Sequence, residues 1–384
     1  MSRSRIPMQW AQRAEPEFVQ LLTPDGTRLD HPEYDISLTD HELRGLYQDL
    51  VIVRRLDTEA TALQRQGELG LWASALGQEA AQIGSGRAVR PQDMIFPTYR
   101  EHGVLYCRGL DAIQLMGLFR GVDYGTWNPA ETGVHLYTLV IGAQTLHATG
   151  YAMGVLRDGA VGDDDGQAVL AFFGDGATSQ GDVNESLGWA SVFNAPVVFF
   201  CQNNQYAISQ PAARQSKTPL VNRAAGFGMA GIRVDGNDVL AVLAVTRSAL
   251  DDARRGQGPS LIEAYTYRLG AHTTSDDPTR YRPSGEVEAW REKDPVVRLR
   301  RLLEQHQLGD AGYFAEVDAD AQHRATQLRE RVLALPDPAP SSLFDHVYAE
   351  ASPALEAQRA EFVRYHASFE ADAFGEGEPR WAKH

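Results

Sequence analysis

The sequence predicts an α/β fold: a mostly parallel sheet flanked by helices, with an N-terminal arm over 1–40 and a helical C-terminal extension over 286–384. Two observations carry that reading. Ala168–Phe173 and Val197–Cys201 are short, unbroken apolar runs, which suit parallel strands buried on both faces. Helix-period stretches separate such runs, and alternating strands and helices build a parallel sheet.

Taken in order, residues 1–40 are polar, proline-punctuated and without a sustained period, hence an arm. The main α/β domain is expected over 41–285. Its first helix begins at Thr39 or Asp40, either of which can cap it, and Leu43, Leu46, Leu50, Val53 and Leu56 give the 3–4 spacing of a buried face. Gly67 to Gly70 ends it. Gln78–Val89 is a second helix whose small residues permit close packing. After the Ala168–Phe173 strand come a helix at Asp182–Phe193, a break at Asn194-Ala-Pro196 and the Val197–Cys201 strand. Ile232–Val234 and Leu261–Tyr265 are further strands around a helix at Val239–Arg255. Asp294-Pro295 makes an N-cap and first-turn pair for another helix. A further helix runs around Ala321–Leu335, before the break at Pro336, Pro338 and Pro340. Asp163-Asp164-Asp165 reads as a solvated hairpin rather than a metal cluster.

Composition narrows the function. Of 384 residues, 36 are Lys or Arg and 51 are Asp or Glu, a formal charge of −15. Nucleic-acid binding needs clustered basic residues, and so does a polybasic membrane surface; neither is expected here. No apolar run reaches the length of a membrane span, and the N-terminus has no signal-like apolar stretch. Cys107 and Cys201 are too few for a disulfide scaffold, which fits a reducing cytoplasm.

The chemistry concentrates in Gly174-Asp-Gly-Ala-Thr-Ser-Gln-Gly181 and Gln202-Asn-Asn204. A dinucleotide fingerprint does not fit the glycine spacing. Gly176 and Gly181 have the spacing of a phosphate-binding P-loop, but Asp182-Val183 stands where Lys-Ser/Thr belongs. Asp175 follows one buried strand and Asn204 follows the next, 29 residues later. A βαβ crossover brings both ends to the same sheet edge. A carboxylate and an amide oxygen there suit a hard cation such as Mg²⁺, and the glycines let backbone N–H groups approach phosphate.

This segment resembles the thiamine-diphosphate motif, GDG followed at a distance by NN. The surrounding stretches are similar to one family, the α subunit of the decarboxylase component of 2-oxo acid dehydrogenase complexes. They include Gly77-Gln-Glu-Ala80, Phe96-Pro-Thr-Tyr-Arg-Glu-His-Gly103, Asn203-Asn-Gln-Tyr-Ala-Ile-Ser209, Val234-Asp-Gly-Asn-Asp238 and Gly258-Pro-Ser-Leu-Ile-Glu263. Tyr267-Arg268 and His272-Thr-Thr-Ser-Asp-Asp-Pro-Thr-Arg-Tyr-Arg282 complete the order, across roughly residues 40–350. The resemblance implies a thiamine-diphosphate-binding fold. Asp175, Asn204 and the carbonyl of Tyr206 would ligate Mg²⁺. Tyr99, Arg100 and the backbone of Gly176 and Ala177 would hold the diphosphate. Leu139 and Ile141 would meet the aminopyrimidine ring. His272 would act at the reacting end, as a hydrogen-bond donor or a proton relay. Arg268 and Arg282 are candidates for loop anchoring or phosphate charge, with Asp276 and Asp277 as their partners. Gln202 replaces an Arg of branched-chain members, which shifts charge onto Arg100 and His272. Ala271 replaces a His, and Thr273 stands where regulated relatives carry a phosphorylatable Ser.

The implied reaction is oxidative decarboxylation of a 2-oxo acid, with acyl transfer to a lipoyl carrier on an acyltransferase core. The branched-chain type is favoured over pyruvate, with acetoin third. The carboxylate that activates thiamine is not marked in this chain, and the resemblance puts it on a β subunit in an α2β2 heterotetramer. Two rivals stand: a Mg²⁺-dependent phosphate hydrolase, which needs a second acidic cluster near Asp175, and a non-catalytic scaffold subunit that binds the cofactor.

Overall fold

The computed structural model describes residues 18–123, 127–162 and 165–373. Residues 1–17 of the expected arm, Asp163 and Asp164 of the expected hairpin, and 374–384 of the tail lie outside them. One compact unit ends at Leu333 and a second begins at Ala334.

Six strands form the sheet of the first unit: β1 (Phe18–Val19), β2 (Met94–Phe96), β3 (Val169–Gly174), β4 (Val197–Asn203), β5 (Ala230–Asp235) and β6 (Ser260–Tyr265). Their spatial order is β1-β5-β6-β4-β3-β2, and every pairing is parallel. β4 is buried along its whole length. Alternate residues of a strand face opposite sides, and two cores result. Leu170, Phe172, Val198 and Phe200 join one, whereas Val169, Ala171, Phe173, Val197 and Phe199 join the other.

Helices close both faces. The first core holds α1 (Asp40–Arg65), α2 (Glu79–Ala88) and α3 (His102–Cys107). The second holds α4 (Ala143–Arg157) and α5 (Gly181–Phe193). Returning to the first side are α6 (Val239–Arg254), α7 (Pro295–Gln305) and α8 (Ala311–Leu333). Thr39 is the cap of α1. Its hydroxyl accepts from the Glu42 N–H, while the Glu42 carboxylate accepts from the Thr39 N–H at 2.8 Å. The small residues of α2 allow the expected close packing: a methyl group on Gly84 would meet Val242 Cβ at 2.8 Å. Cys201 and Cys107 are free thiols, and burial pushes both upward in pKa.

The chain divides elsewhere than at 40 and 285. Phe18–Val19 is an edge strand, and Leu21, Leu22 and Ile36 are buried in the core. α7 and α8 pack on α1 through Leu299, Leu302, Phe314, Val317 and Leu328, and Arg54 bridges Glu79 and Asp294. The expected extension therefore begins after Leu333, where the proline cluster breaks the chain. The second unit contains a turn at Pro340–Phe344 and a helix at Pro353–Ala373.

Asp238 joins the arm to the sheet. One carboxylate oxygen accepts from the N–H groups of Leu21 and Leu22, at 2.7 and 2.6 Å. The other caps α6 by accepting from Leu240 and Ala241. Replacing Asp238 by Ala strands four buried N–H groups and removes a cap. It should cost about 3 kcal/mol of stability, read from the urea midpoint. An unchanged midpoint would show that the arm is not held this way.

Candidate active site

A parallel sheet sends all its strand C-termini to one edge. Here Gly174 pairs with Gln202, Gln202 with Ala264, Asn203 with Tyr265, and Phe96 with Ala171. Asp175, Asn204, the Thr266–His272 segment and the Thr98–Arg100 loop thus leave the sheet together. They enclose a cavity of about 320 Å³. Tyr99, Arg100, Ile141, Asp175, Gly176, Ala177, Asn204, Tyr206 and His272 all line it. Leu139 does not; it is 68% exposed outside the cavity, next to the exposed Val140. Gly176 has no room for a side chain, since a methyl there would meet Ala207 Cβ at 2.7 Å.

Three oxygen-bearing groups converge on one point in this cavity. The inward atom of the Asn204 amide is 3.1 Å from the Tyr206 carbonyl oxygen and 3.3 Å from Asp175 Oδ1. With nitrogen inward, Asn204 donates to both. With oxygen inward, Asn204 accepts from the Tyr206 N–H at 3.3 Å and also faces two acceptors, an arrangement that a cation satisfies. Edges near 3 Å are those of an octahedron with ligands at about 2.1 Å, the Mg²⁺ distance. The donor set therefore fits Mg²⁺. No group of three or more His, Cys, Asp or Glu side chains placed to hold a metal exists among the described residues. Besides Asp175, the described lining of the cavity holds one carboxylate, Glu101. Burial pushes Asp175 up to about 6, with Arg268 opposing.

Two guanidinium groups face the same space. Arg100 and Arg268 are buried, at 5% and 1% exposure, and neither forms an ion pair with a carboxylate among the described residues. Arg100 donates to the carbonyls of Ser74 and His272. Arg268 donates to the carbonyls of Tyr206 and Ile208, at 2.8 and 2.9 Å, and to the Tyr281 hydroxyl. His272 Nδ1 lies 3.4 Å from a nitrogen of each. Guanidinium nitrogens only donate, so Nδ1 is the acceptor and Nε2 carries the proton. Burial and the two arginines push the His272 imidazole down to about 4, so it is neutral at pH 7. The second cation at the cavity is therefore Arg268, whereas the sequence pointed to His272.

Other expectations change. Arg282 donates to the carbonyls of Arg268, Leu269 and Gly270, which makes it a loop anchor. Asp276 makes no direct ion pair with an arginine among the described residues; it accepts from the His272 N–H and the Tyr281 hydroxyl, and these bonds, with Arg268, hold its carboxyl below the ordinary value. Asp277 caps the Pro278–Arg280 turn. Gln202 donates to Glu101 at 2.6 Å, and Thr98 completes that carboxylate's hydrogen bonds. Glu101 is fully buried and raised in pKa by burial. Gln78, Thr98, Glu101 and Gln144 also line the cavity and were not singled out as site residues. The Gly77-Gln-Glu-Ala80 stretch carried a signal for Gln78. Gln144 had none beyond its place after Ile141.

Residues 47–340 match the family described as "Dehydrogenase E1 component". The α subunit of 3-methyl-2-oxobutanoate dehydrogenase from Mycobacterium tuberculosis is 46% identical over 93% of this chain and 96% of its own. The α subunit of the pyruvate dehydrogenase E1 component from Staphylococcus aureus is 39% identical over 75% of this chain and 77% of its own. The chain belongs to the dehydrogenase E1 family. This E1 chain is an oxidoreductase of the 2-oxo acid dehydrogenase type, and its fold is the family's.

The two guanidiniums give the E1 chain a test. Arg100→Gln removes a cation beside His272, so the imidazole's pKa should rise from about 4 toward its ordinary value. NMR titration of ¹³C-labelled histidine reads this directly. An unmoved value would mean that burial and Arg268 set it.

Proposed function

We propose that this E1 chain binds thiamine diphosphate with Mg²⁺ in the sheet-edge cavity. There it serves oxidative decarboxylation of branched-chain 2-oxo acids, with acyl transfer to a lipoyl carrier. The observation that carries this reading is the pairing of an oxygen-rich corner with two buried guanidiniums that form no direct ion pair among the described residues, in one cavity. That combination suits a metal-bound diphosphate.

Asp175, Asn204 and the Tyr206 carbonyl would hold the ion. Arg100, with the backbone of Gly176 and Ala177, would hold the diphosphate, and Tyr99 would flank it. Arg forms the fixed fork that matches phosphate oxygens. Arg268 adds charge from behind while fixing the Tyr206 carbonyl. When bound, thiamine diphosphate supplies the electron sink for loss of CO2. His272 would hold a proton at Nε2 and move it near the reacting carbon. An anion bound beside it would raise its pKa from about 4 toward the working range.

One group is missing among the described residues that line the cavity. Glu101 faces Thr98 and Gln202, so it is not free to meet the aminopyrimidine. Leu139 and Val140, 68% and 71% exposed beside Ile141, form an apolar rim suited to a partner. A β subunit, in an α2β2 heterotetramer, would cover that rim and supply the carboxylate. The Mycobacterium relative's name favours branched-chain acids over pyruvate. No described helix is long and apolar enough to cross a membrane, and a reducing cytoplasm remains our reading.

The chain purified with its β partner should show a kcat/KM for 3-methyl-2-oxobutanoate at least tenfold above that for pyruvate, in a dye-reduction assay. A pyruvate preference would overturn the substrate assignment, and full activity of the isolated chain would overturn the shared site. Asp175→Asn should weaken Mg²⁺-dependent cofactor binding by about a hundredfold, read by calorimetry. In the wild type, protonation of Asp175 competes with the ion. Affinity should therefore fall as pH drops below about 6. A flat pH profile would exclude Asp175 as a ligand.

A further inference from the structure

The stretch from Trp72 to Leu76, between α1 and α2, supports two parts of the cavity at once. Arg100 donates to its Ser74 carbonyl. The loop that carries His272 hangs on the same stretch at both ends. The Leu269 N–H donates to the Leu76 carbonyl at 2.9 Å, and the Thr274 N–H donates to the Trp72 carbonyl at 3.0 Å. The Trp72 N–H returns a bond to Thr274 Oγ1 at 3.1 Å. Arg100 also donates to the His272 carbonyl at 2.8 Å. Both carbonyls that hold the guanidinium therefore depend on this stretch. The Tyr99 ring centre lies 5.6 Å from the guanidinium carbon.

The stretch is itself fixed from α1 and α3. Asp57 of α1 is 6% exposed. Its Oδ1 accepts from the Trp72 indole N–H at 3.0 Å and from the Ala75 N–H at 2.9 Å, and its Oδ2 accepts from the Ser74 hydroxyl at 2.6 Å. These bonds bracket the Ser74 carbonyl along the chain. From α3, His102 Nε2 donates to the Ala73 carbonyl at 2.8 Å, and the His102 ring stacks on Trp72 with centres 4.2 Å apart. The Ser74 hydroxyl also accepts from the Leu76 N–H at 3.1 Å. Without the Asp57 carboxylate, three donors lose their acceptor, which is unfavourable in a buried position. Asp57 does not line the cavity; it stands behind the stretch that supports Arg100.

We infer that Asp57 is a positioning residue for Arg100: by tethering the stretch to α1 it fixes the Ser74 carbonyl, and with it the guanidinium beside His272. Asp57 touches no reacting atom; it acts through Arg100. Loss of the tether lets the Ser74 carbonyl move, and Arg100 then leaves its place 3.4 Å from His272 Nδ1. The other charges at His272 are held elsewhere. Arg268 is bonded to Tyr206, Ile208 and Tyr281, and Asp276 to the His272 N–H and Tyr281. The His272 pKa therefore reports where Arg100 stands, whatever the cavity binds. A second readout, cofactor affinity, rests on the thiamine-diphosphate reading.

The test is a double-mutant cycle on the chain assembled with its β partner. Asp57→Leu, which keeps the shape and removes all three bonds, should raise the His272 pKa by roughly half the rise that Arg100→Gln produces. NMR titration without cofactor reads this, the resonance being assigned by its loss in His272→Gln. Asp57→Leu should also weaken binding of thiamine diphosphate, in the presence of Mg²⁺, by about tenfold in calorimetry, the loss of one charged hydrogen bond. In an R100Q background Asp57→Leu should change affinity less than about twofold and leave His272 unmoved. Thermal unfolding midpoints establish that each variant is folded. Should Asp57→Leu not fold, Ser74→Ala, which removes one of the three bonds, carries both readouts at about threefold in affinity. An unmoved His272 in Asp57→Leu, where Arg100→Gln moves it, overturns the inference. So does the same loss of affinity in the R100Q background, which would mark a general loosening. A shifted His272 with unchanged cofactor affinity, in Asp57→Leu and Arg100→Gln alike, overturns the diphosphate role of Arg100 and supports the positioning role.

Discussion

Two positive charges are buried at the sheet edge without a direct ion pair to a carboxylate among the described residues. Removing an ion from water costs several kcal/mol even after relaxation. Arg100 and Arg268 offset part of that by donating to backbone carbonyls of Ser74, His272, Tyr206 and Ile208. Those bonds tie four separate segments around one cavity. Glu101 answers Arg100, and Asp175 and Asp276 answer Arg268, without a direct ion pair, and a bound anion would answer both directly. In a chain of net charge −15, the cationic site is a local construction that runs against the whole-chain charge.

The surrounding structure keeps those segments in place. Parallel register fixes where Asp175 and Asn204 emerge, and β6 delivers Arg268 three residues beyond its end. The segment after Arg268 folds back because Arg282 satisfies three of its carbonyls. Trp72 and Thr274 exchange hydrogen bonds between the loop before α2 and the loop after His272. Disturbing any of these moves a charge, so the cavity's chemistry and the fold's packing are one problem. His272 shows the coupling: it is neutral because it is half-buried between the arginines that the loops position.

Much of this was legible in the sequence. The apolar runs at β3 and β4 marked buried parallel strands, and the 29-residue interval between Asp175 and Asn204 placed two oxygens on one edge. What escaped followed from short or long-range interactions. Phe18–Val19 is too short to show a period, and its place depends on Asp238, more than 200 residues away. Leu299 and Phe314 read as an extension because nothing in their own periodicity names α1 as their partner. Arg268 and Arg282 carry similar local signals, and only the fold turns one toward the cavity and the other toward the loop. Gln202 looked like a lost charge, but its amide is committed to Glu101, a contact made across the sheet edge.

The central claim is that the cavity recognises a metal-bound diphosphate, with the organic part of the cofactor secondary. Competition with inorganic diphosphate tests it most directly. In the presence of Mg²⁺, inorganic diphosphate should displace thiamine diphosphate from the chain assembled with its partner. Thiamine lacking phosphate should not, and the displacement should vanish when Mg²⁺ is chelated. Displacement by thiamine alone, with no effect of inorganic diphosphate, would contradict the account.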